Sequence, residues 1–201
     1  MTRDNIKAAA LILFARNGYE GTYLSEIANQ VGIRKPSIYN HFSSKEELFL
    51  SVFEDVMWAH VKQIETLVEK IKDASVEDKL YQIFNDTFQM YIEEEEVTAF
   101  YKRAVIYPPE HLKEFIREKI FVSEEALSCI LRDIFAEGIK NNIIREEKME
   151  VLLASYYCLI DGMFMQLSFY GEDTIKPRVK SVWQNYWRGI ENVSYKSQKV
   201  H

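Results

Sequence analysis

Only four prolines and seven glycines punctuate the 201-residue chain. Little in it therefore forces a turn, and apolar residues recur three and four apart over long stretches. No stretch alternates apolar and polar residues in the manner of a half-buried strand, so the reading is all-α. Cysteine is equally scarce. Cys129 and Cys158 stand far apart without the CxxC spacing of a zinc or redox motif, which makes buried structural thiols the expectation. The four histidines, His41, His60, His111 and His201, join no nucleophile, metal-ligand or phosphate-loop pattern, and neither catalytic chemistry, a metal nor a cofactor is expected. The run of acids at 93–96 reads as a solvated helix end or bend.

The chain also opens without an apolar leader, so a cytoplasmic protein is expected. The most apolar run, at 151–170, approaches membrane-spanning length. It carries Ser155, Asp161, Gly162, Gln166 and Ser168, and the expectation is a helix buried on several sides by protein, with no membrane partner. The net charge of −6 argues against nucleic acid only until its distribution is considered. Residues 1–48 hold six cations against five acids, a balance of +1, which leaves −7 to the remainder.

What is present in those 48 residues is concentrated chemistry. Ile6, Ala9, Ala10, Leu13 and Phe14 give a first helix one apolar stripe, ending near Asn17-Gly18. Leu24, Ile27, Ala28 and Val31 repeat the pattern over a short second helix stopped by Gly32. Neither helix can stand alone, and a third must complete their core. On a helical wheel Ile38 and Phe42 of the stretch VGIRKPSIYNHFSSKEEL share one face, with Tyr39 on its flank. Pro36 belongs in the first turn, where its missing N–H costs no helical bond, and Ser37, Asn40 and His41 look outward.

A short helix joined by a glycine turn to its predecessor is the helix-turn-helix arrangement, in which the second helix enters the major groove. The chemistry suits it: Asn40 fits adenine edges, Lys35 fits guanine, Ser37 fits several bases, and a flanking tyrosine or histidine reaches phosphate. The same face also suits the polar surface of an ordinary three-helix bundle. Ser44 with Glu47 forms a capping box that starts a fourth helix. Lys45 in its first turn is misplaced against the helix dipole unless a phosphate lies near.

The stretch GYEGTYLSEIANQVGIRKPSIYNHFSSKEELF resembles the DNA-binding region of the TetR/AcrR family of bacterial transcriptional repressors, over roughly residues 6–50. The resemblance implies that Lys35, Pro36, Ser37 and Asn40 meet base edges. It places Tyr39, His41 and Lys45 at phosphates, with Thr22 and Ser25 as further backbone contacts. Arg34 and Tyr23 depart from the family pattern at two helix caps, which weakens the caps and gives Arg34 an additional phosphate contact. The resemblance further implies a helix-turn-helix domain at 1–48, joined by a long fourth helix at about 45–71 to a helical ligand-binding and dimerisation domain at 49–201.

Helical spacing from Lys45 to about Ile71 predicts a fourth helix about 40 Å long, and Ser75 is a cap for the next. Tyr107-Pro108-Pro109 ends another helix, a long pattern runs to Gly138 with a kink or split near Val122-Ser123, and Asn141-Asn142 turns the chain. In the TetR-like reading some of the many aromatics wall a cavity for a small, partly apolar effector, with Phe88, Tyr91, Tyr101, Phe135 and Tyr157 as candidates. Helices at about 147–170 and 175–193 would pack against a second copy through Leu159, Met163, Gln166, Leu167, Val179, Val182, Trp183 and Tyr186. The reading is then a homodimeric, ligand-responsive repressor on a palindromic double-stranded operator. A helix-turn-helix regulator with no ligand response, and a helical protein-interaction module that reads no DNA, are the alternatives.

Overall fold

The computed structural model describes residues 2–193 and is helical throughout; His201 lies outside the described residues. Three short helices come first: α1 (Arg3–Asn17), α2 (Leu24–Val31) and α3 (Lys35–Ile38). They are followed by α4 (Lys45–Lys70), α5 (Val76–Glu93), α6 (Glu95–Ile106), α7 (Lys113–Lys140) and α8 (Met149–Tyr170). The described residues end with α9 (Glu172–Ile175) and α10 (Val179–Ile190).

The breaks fall where local chemistry demands. Gly18 and Gly32 end α1 and α2 at φ of +72° and +76°, a region that costs an L side chain about 1–2 kcal/mol. Ser75 Oγ caps α5 by accepting the Asp78 N–H at 3.1 Å. The acids at 93–96 are exposed at the α5–α6 junction. Two expectations are corrected. The alternative of a split near Val122-Ser123 falls, because α7 runs unbroken through that pair, where Ser123 is buried and its hydroxyl donates to the Ile120 carbonyl at 2.9 Å. The helix expected at 175–193 is in three pieces, since Pro177 removes an N–H and converts Lys176–Arg178 into a 3₁₀ turn before α10.

The chain forms two compact units. Unit 1 takes residues 1–61 and 93–124, so α6 and the first part of α7 fold with the N-terminal helices. Its core joins Ile6, Phe14, Ile27, Ile38, Phe42, Phe49 and Phe53 to Phe100, Ala104 and Ile116. Phe49 meets Phe14 edge-on at 5.0 Å and Phe100 at 5.3 Å. Unit 2 takes residues 62–92 and 125 onward, around Phe84, Phe88, Phe135, Tyr156, Trp183 and Trp187. There Tyr156, fully buried, donates its hydroxyl to the Leu80 carbonyl at 2.7 Å, and burial pushes its phenol well up.

α8 is long and apolar enough to cross a membrane by length and composition. It sends Leu152, Leu153, Tyr156 and Met163 into the unit 2 core and buries Phe164 beside Tyr91. The expectation that protein covers it on several sides is corrected: only 28% of its most apolar window is buried, and Val151, Ala154, Cys158, Gly162 and Phe169 are exposed along it. Met163, Val179 and Trp183, expected to meet a second copy, are buried in this chain's own core instead. Cys129 and Cys158 are both exposed free thiols rather than buried ones.

Candidate DNA-reading surface

The geometry of α3 follows from its two buried anchors. Ile38 is fully buried, and Phe42 is 1% exposed with its N–H bonded to the Ile38 carbonyl at 3.0 Å, so the helical turn continues past the last regular residue. With those two fixed inward, Arg34, Lys35, Pro36, Tyr39, Asn40 and His41 are exposed and Ser37 is half-buried. Ser25, in α2, is exposed as well. Pro36 occupies the first turn of α3. The Arg34 side chain makes no capping bond; the Ser37 N–H goes to the Arg34 carbonyl at 2.8 Å. At α2 the Tyr23 N–H donates to the Glu26 carboxylate at 3.0 Å, a cap supplied from the third residue.

Two of the candidates serve the fold. Thr22 departs from the expected backbone contact: it is fully buried, its hydroxyl lying 2.7 Å from the Gly18 carbonyl and 3.1 Å from that of Leu13. Lys45 is half-buried, and its ammonium donates to the carbonyls of Tyr19 at 2.8 Å and Thr22 at 3.2 Å. These carbonyls, with the Tyr19 ring 4.1 Å away, give the lysine intramolecular partners where a phosphate was expected. Burial, with Glu46 and Glu20 nearby, pushes the Tyr19 phenol up to about 12.

The α4 capping box forms in altered register. Ser44 Oγ accepts the Glu47 N–H at 3.0 Å, while the Glu47 carboxylate reaches past Ser44 to the N–H and hydroxyl of Ser43, both at 2.7 Å. Those bonds hold the Glu47 carboxyl below its ordinary range.

Sequence reasoning missed the contributions from far along the chain. Arg103 of α6 donates Nε–H to the Ala15 carbonyl at 2.8 Å and Nη2–H to that of Arg16 at 3.0 Å, capping the C-terminus of α1 where a cation suits the helix dipole. His111 Nε2 lies 3.3 Å from the Glu46 carboxylate, its ring 5.4 Å from that of Tyr19. Separations of nearly ninety residues between Arg103 and its partners leave no periodic trace in the sequence.

The effector candidates are divided between the two units. Phe88 and Phe135 are closed into the unit 2 core. In the same unit the rings of Tyr91 and Phe164 lie 4.8 Å apart, and the hydroxyls of Tyr157 and Ser128 are 2.8 Å apart. Tyr101 belongs to unit 1, stacked on Phe53 with centroids 6.4 Å apart.

Comparison with known proteins agrees with this geometry. Residues 6–52 match the family model described as bacterial regulatory proteins, tetR family. The fatty acid metabolism regulator protein of Bacillus subtilis is 27% identical over 139 residues, 69% of this chain and 68% of that one. Among solved structures, the fatty acid degradation regulator FadR of Bacillus halodurans superposes with a TM-score of 0.75 at 22% identity, over 90% of this chain and 92% of that one. FadR of Bacillus subtilis, solved in complex with stearoyl-CoA, superposes with a TM-score of 0.74 at 24% identity, over 91% and 96%. An exposed polar α3 on buried anchors lies within the stretch that the family model spans, so in residues 6–52 the chain carries a helix-turn-helix similar to that of the tetR family of bacterial regulatory proteins.

Proposed function

We propose that the chain acts in the bacterial cytoplasm as a homodimeric repressor that holds a palindromic operator and leaves it when a small, partly apolar effector binds. The observation that carries the reading is the outer face of α3, where Lys35, Pro36, Tyr39, Asn40 and His41 are exposed while Ile38 and Phe42 are buried. Lys35, Ser37 and Asn40 offer donors and acceptors to base edges, and Pro36 packs beside them. Arg34, Tyr39, His41 and Ser25 grip the flanking phosphates, with Lys45 adding whatever its carbonyl bonds leave over.

One such face touches too few bases for useful discrimination, and two on half-sites about 34–36 Å apart multiply it. The exposed apolar face of α8, with the groove bounded by Leu159, Gln166 and Val182, supports a two-fold contact there. Likeness to regulators of fatty acid metabolism, one of them bound to stearoyl-CoA, makes a long-chain acyl thioester the first effector to try. An acyl chain suits the aromatic-rich unit 2, where the Tyr157–Ser128 hydroxyl pair adds a polar point. A coupling of about 1–3 kcal/mol, typical of allosteric proteins, changes operator affinity about 5- to 150-fold.

The test is selection of bound fragments from random DNA by the full chain, repeated with stearoyl-CoA. Enrichment of a palindrome, lost or weakened with the thioester, supports the reading. Enrichment of no sequence overturns it, and a palindrome indifferent to stearoyl-CoA removes that effector class.

A further inference from the structure

Arg3 lies outside the helix-turn-helix, yet its side chain ends at the reading surface. It is the first residue of α1, and its guanidinium carbon sits 4.5 Å from the centroid of the Phe42 ring. Phe42 is the buried anchor next to His41, so lying over its ring puts the guanidinium between the end of the recognition segment and the start of α4. One Nη2 then lies 3.5 Å from Glu47 Oε1. The other oxygen of that carboxylate is taken by the N–H and hydroxyl of Ser43. Arg3 is thus held at two points, by an aromatic face below and a fixed carboxylate at one edge, while its side chain stays 51% exposed.

A guanidinium lying over a ring spends no hydrogen bond on that contact. It carries five N–H donors in a planar fork, and the single ion pair at 3.5 Å engages one edge only. A fork already restrained by a ring and a carboxylate can take two oxygens of a tetrahedral anion side by side at low entropic cost. Exposed His41 and Ser43 flank Phe42, so the anion met here is the one that also passes those residues. Glu47 opposes any anion near it; its charge is offset by the two Ser43 donors and by Arg3 itself.

We propose that Arg3 is a phosphodiester contact, which extends each reading head by one backbone phosphate beyond the helix-turn-helix. The inference rests on the DNA-reading function proposed above. Such a contact is indifferent to base identity and releases condensed counterions, so its signature is electrostatic.

The experiment measures binding of the full chain to its selected operator fragment by fluorescence anisotropy across a salt series, with Arg3→Ala and Arg3→Lys beside the wild type. The expected result is a slope of log affinity against log salt that shrinks by about 1 per protomer in Arg3→Ala and is retained in Arg3→Lys. The loss in Arg3→Ala is equal on operator and scrambled DNA. A lower melting temperature with an unchanged slope means that Arg3 only anchors α1 to Phe42 and overturns the proposal. Failure of the wild type to bind any DNA in a salt-dependent way overturns the DNA-reading function itself, a different outcome seen before any variant is compared.

Discussion

The ammonium of Lys45 lies 4.1 Å from the centroid of the Tyr19 ring and donates to the carbonyl of the same residue at 2.8 Å. One cation at the start of α4 therefore closes the turn between α1 and α2, a role that its place against the helix dipole does not reveal. Lys45→Met keeps the aliphatic stem and removes both carbonyl bonds. Hydrogen bonds to charged groups contribute about 1.5–3 kcal/mol each at most, and exposure lowers the figure. The expected loss is about 1–2 kcal/mol in urea unfolding; no loss would mean that solvent replaces the lysine without cost.

Thr22 makes the complementary prediction from inside the same turn. Its hydroxyl is fully buried beside two carbonyls. Thr22→Val keeps the shape and leaves those acceptors short of a donor, which costs about 1–3 kcal/mol. The salt dependence of DNA binding should be the same as in the wild type, because a buried hydroxyl reaches no phosphate.

Much of this head was legible in sequence because its determinants are local. Gly18 and Gly32 end helices at positive φ, Pro36 opens α3, and Ile38 and Phe42 fall on one face at the spacing that the wheel predicts. What was not legible comes from far along the chain. Arg103 and His111 reach the α1–α2 turn and Glu46 from residues that no helical period links to them. In unit 2, apolar spacing marks Met163 and Trp183 as belonging to a buried face without saying whose: the chain's own core claims both. Thiol burial failed similarly, since an apolar neighbourhood in sequence does not say which side of α8 holds Cys158.

Glu47 makes stability depend on acid. Its carboxyl is held below its ordinary value by the Ser43 hydroxyl and N–H and by Arg3. For a depressed carboxylate the contribution is present above the ordinary carboxylate range and is lost as pH falls through the depressed value. Glu47→Gln should therefore lower the melting temperature at pH 7, with the gap to wild type closing as the pH drops. A gap that stays constant into acid would show that the carboxylate charge has no part in the cap.

Asp161 behaves in the opposite sense. Asp161 is exposed on α8, and the neighbouring apolar side chains still strip enough water from its carboxyl to raise it above the ordinary value. A raised acid is protonated more readily in the folded chain, so stability falls as pH rises from the ordinary value through the raised one. Asp161→Asn should raise the melting temperature at pH 7, and the advantage should vanish below the ordinary carboxylate range.

The account centres on the outer face of α3, and nuclease footprinting of the selected operator at low ionic strength tests it most directly. The wild type should protect two half-sites about 34–36 Å apart, and Lys35→Ala combined with Tyr39→Ala should abolish both protections while the chain stays folded. Equal protection by the double variant, or none by the wild type, would contradict the account.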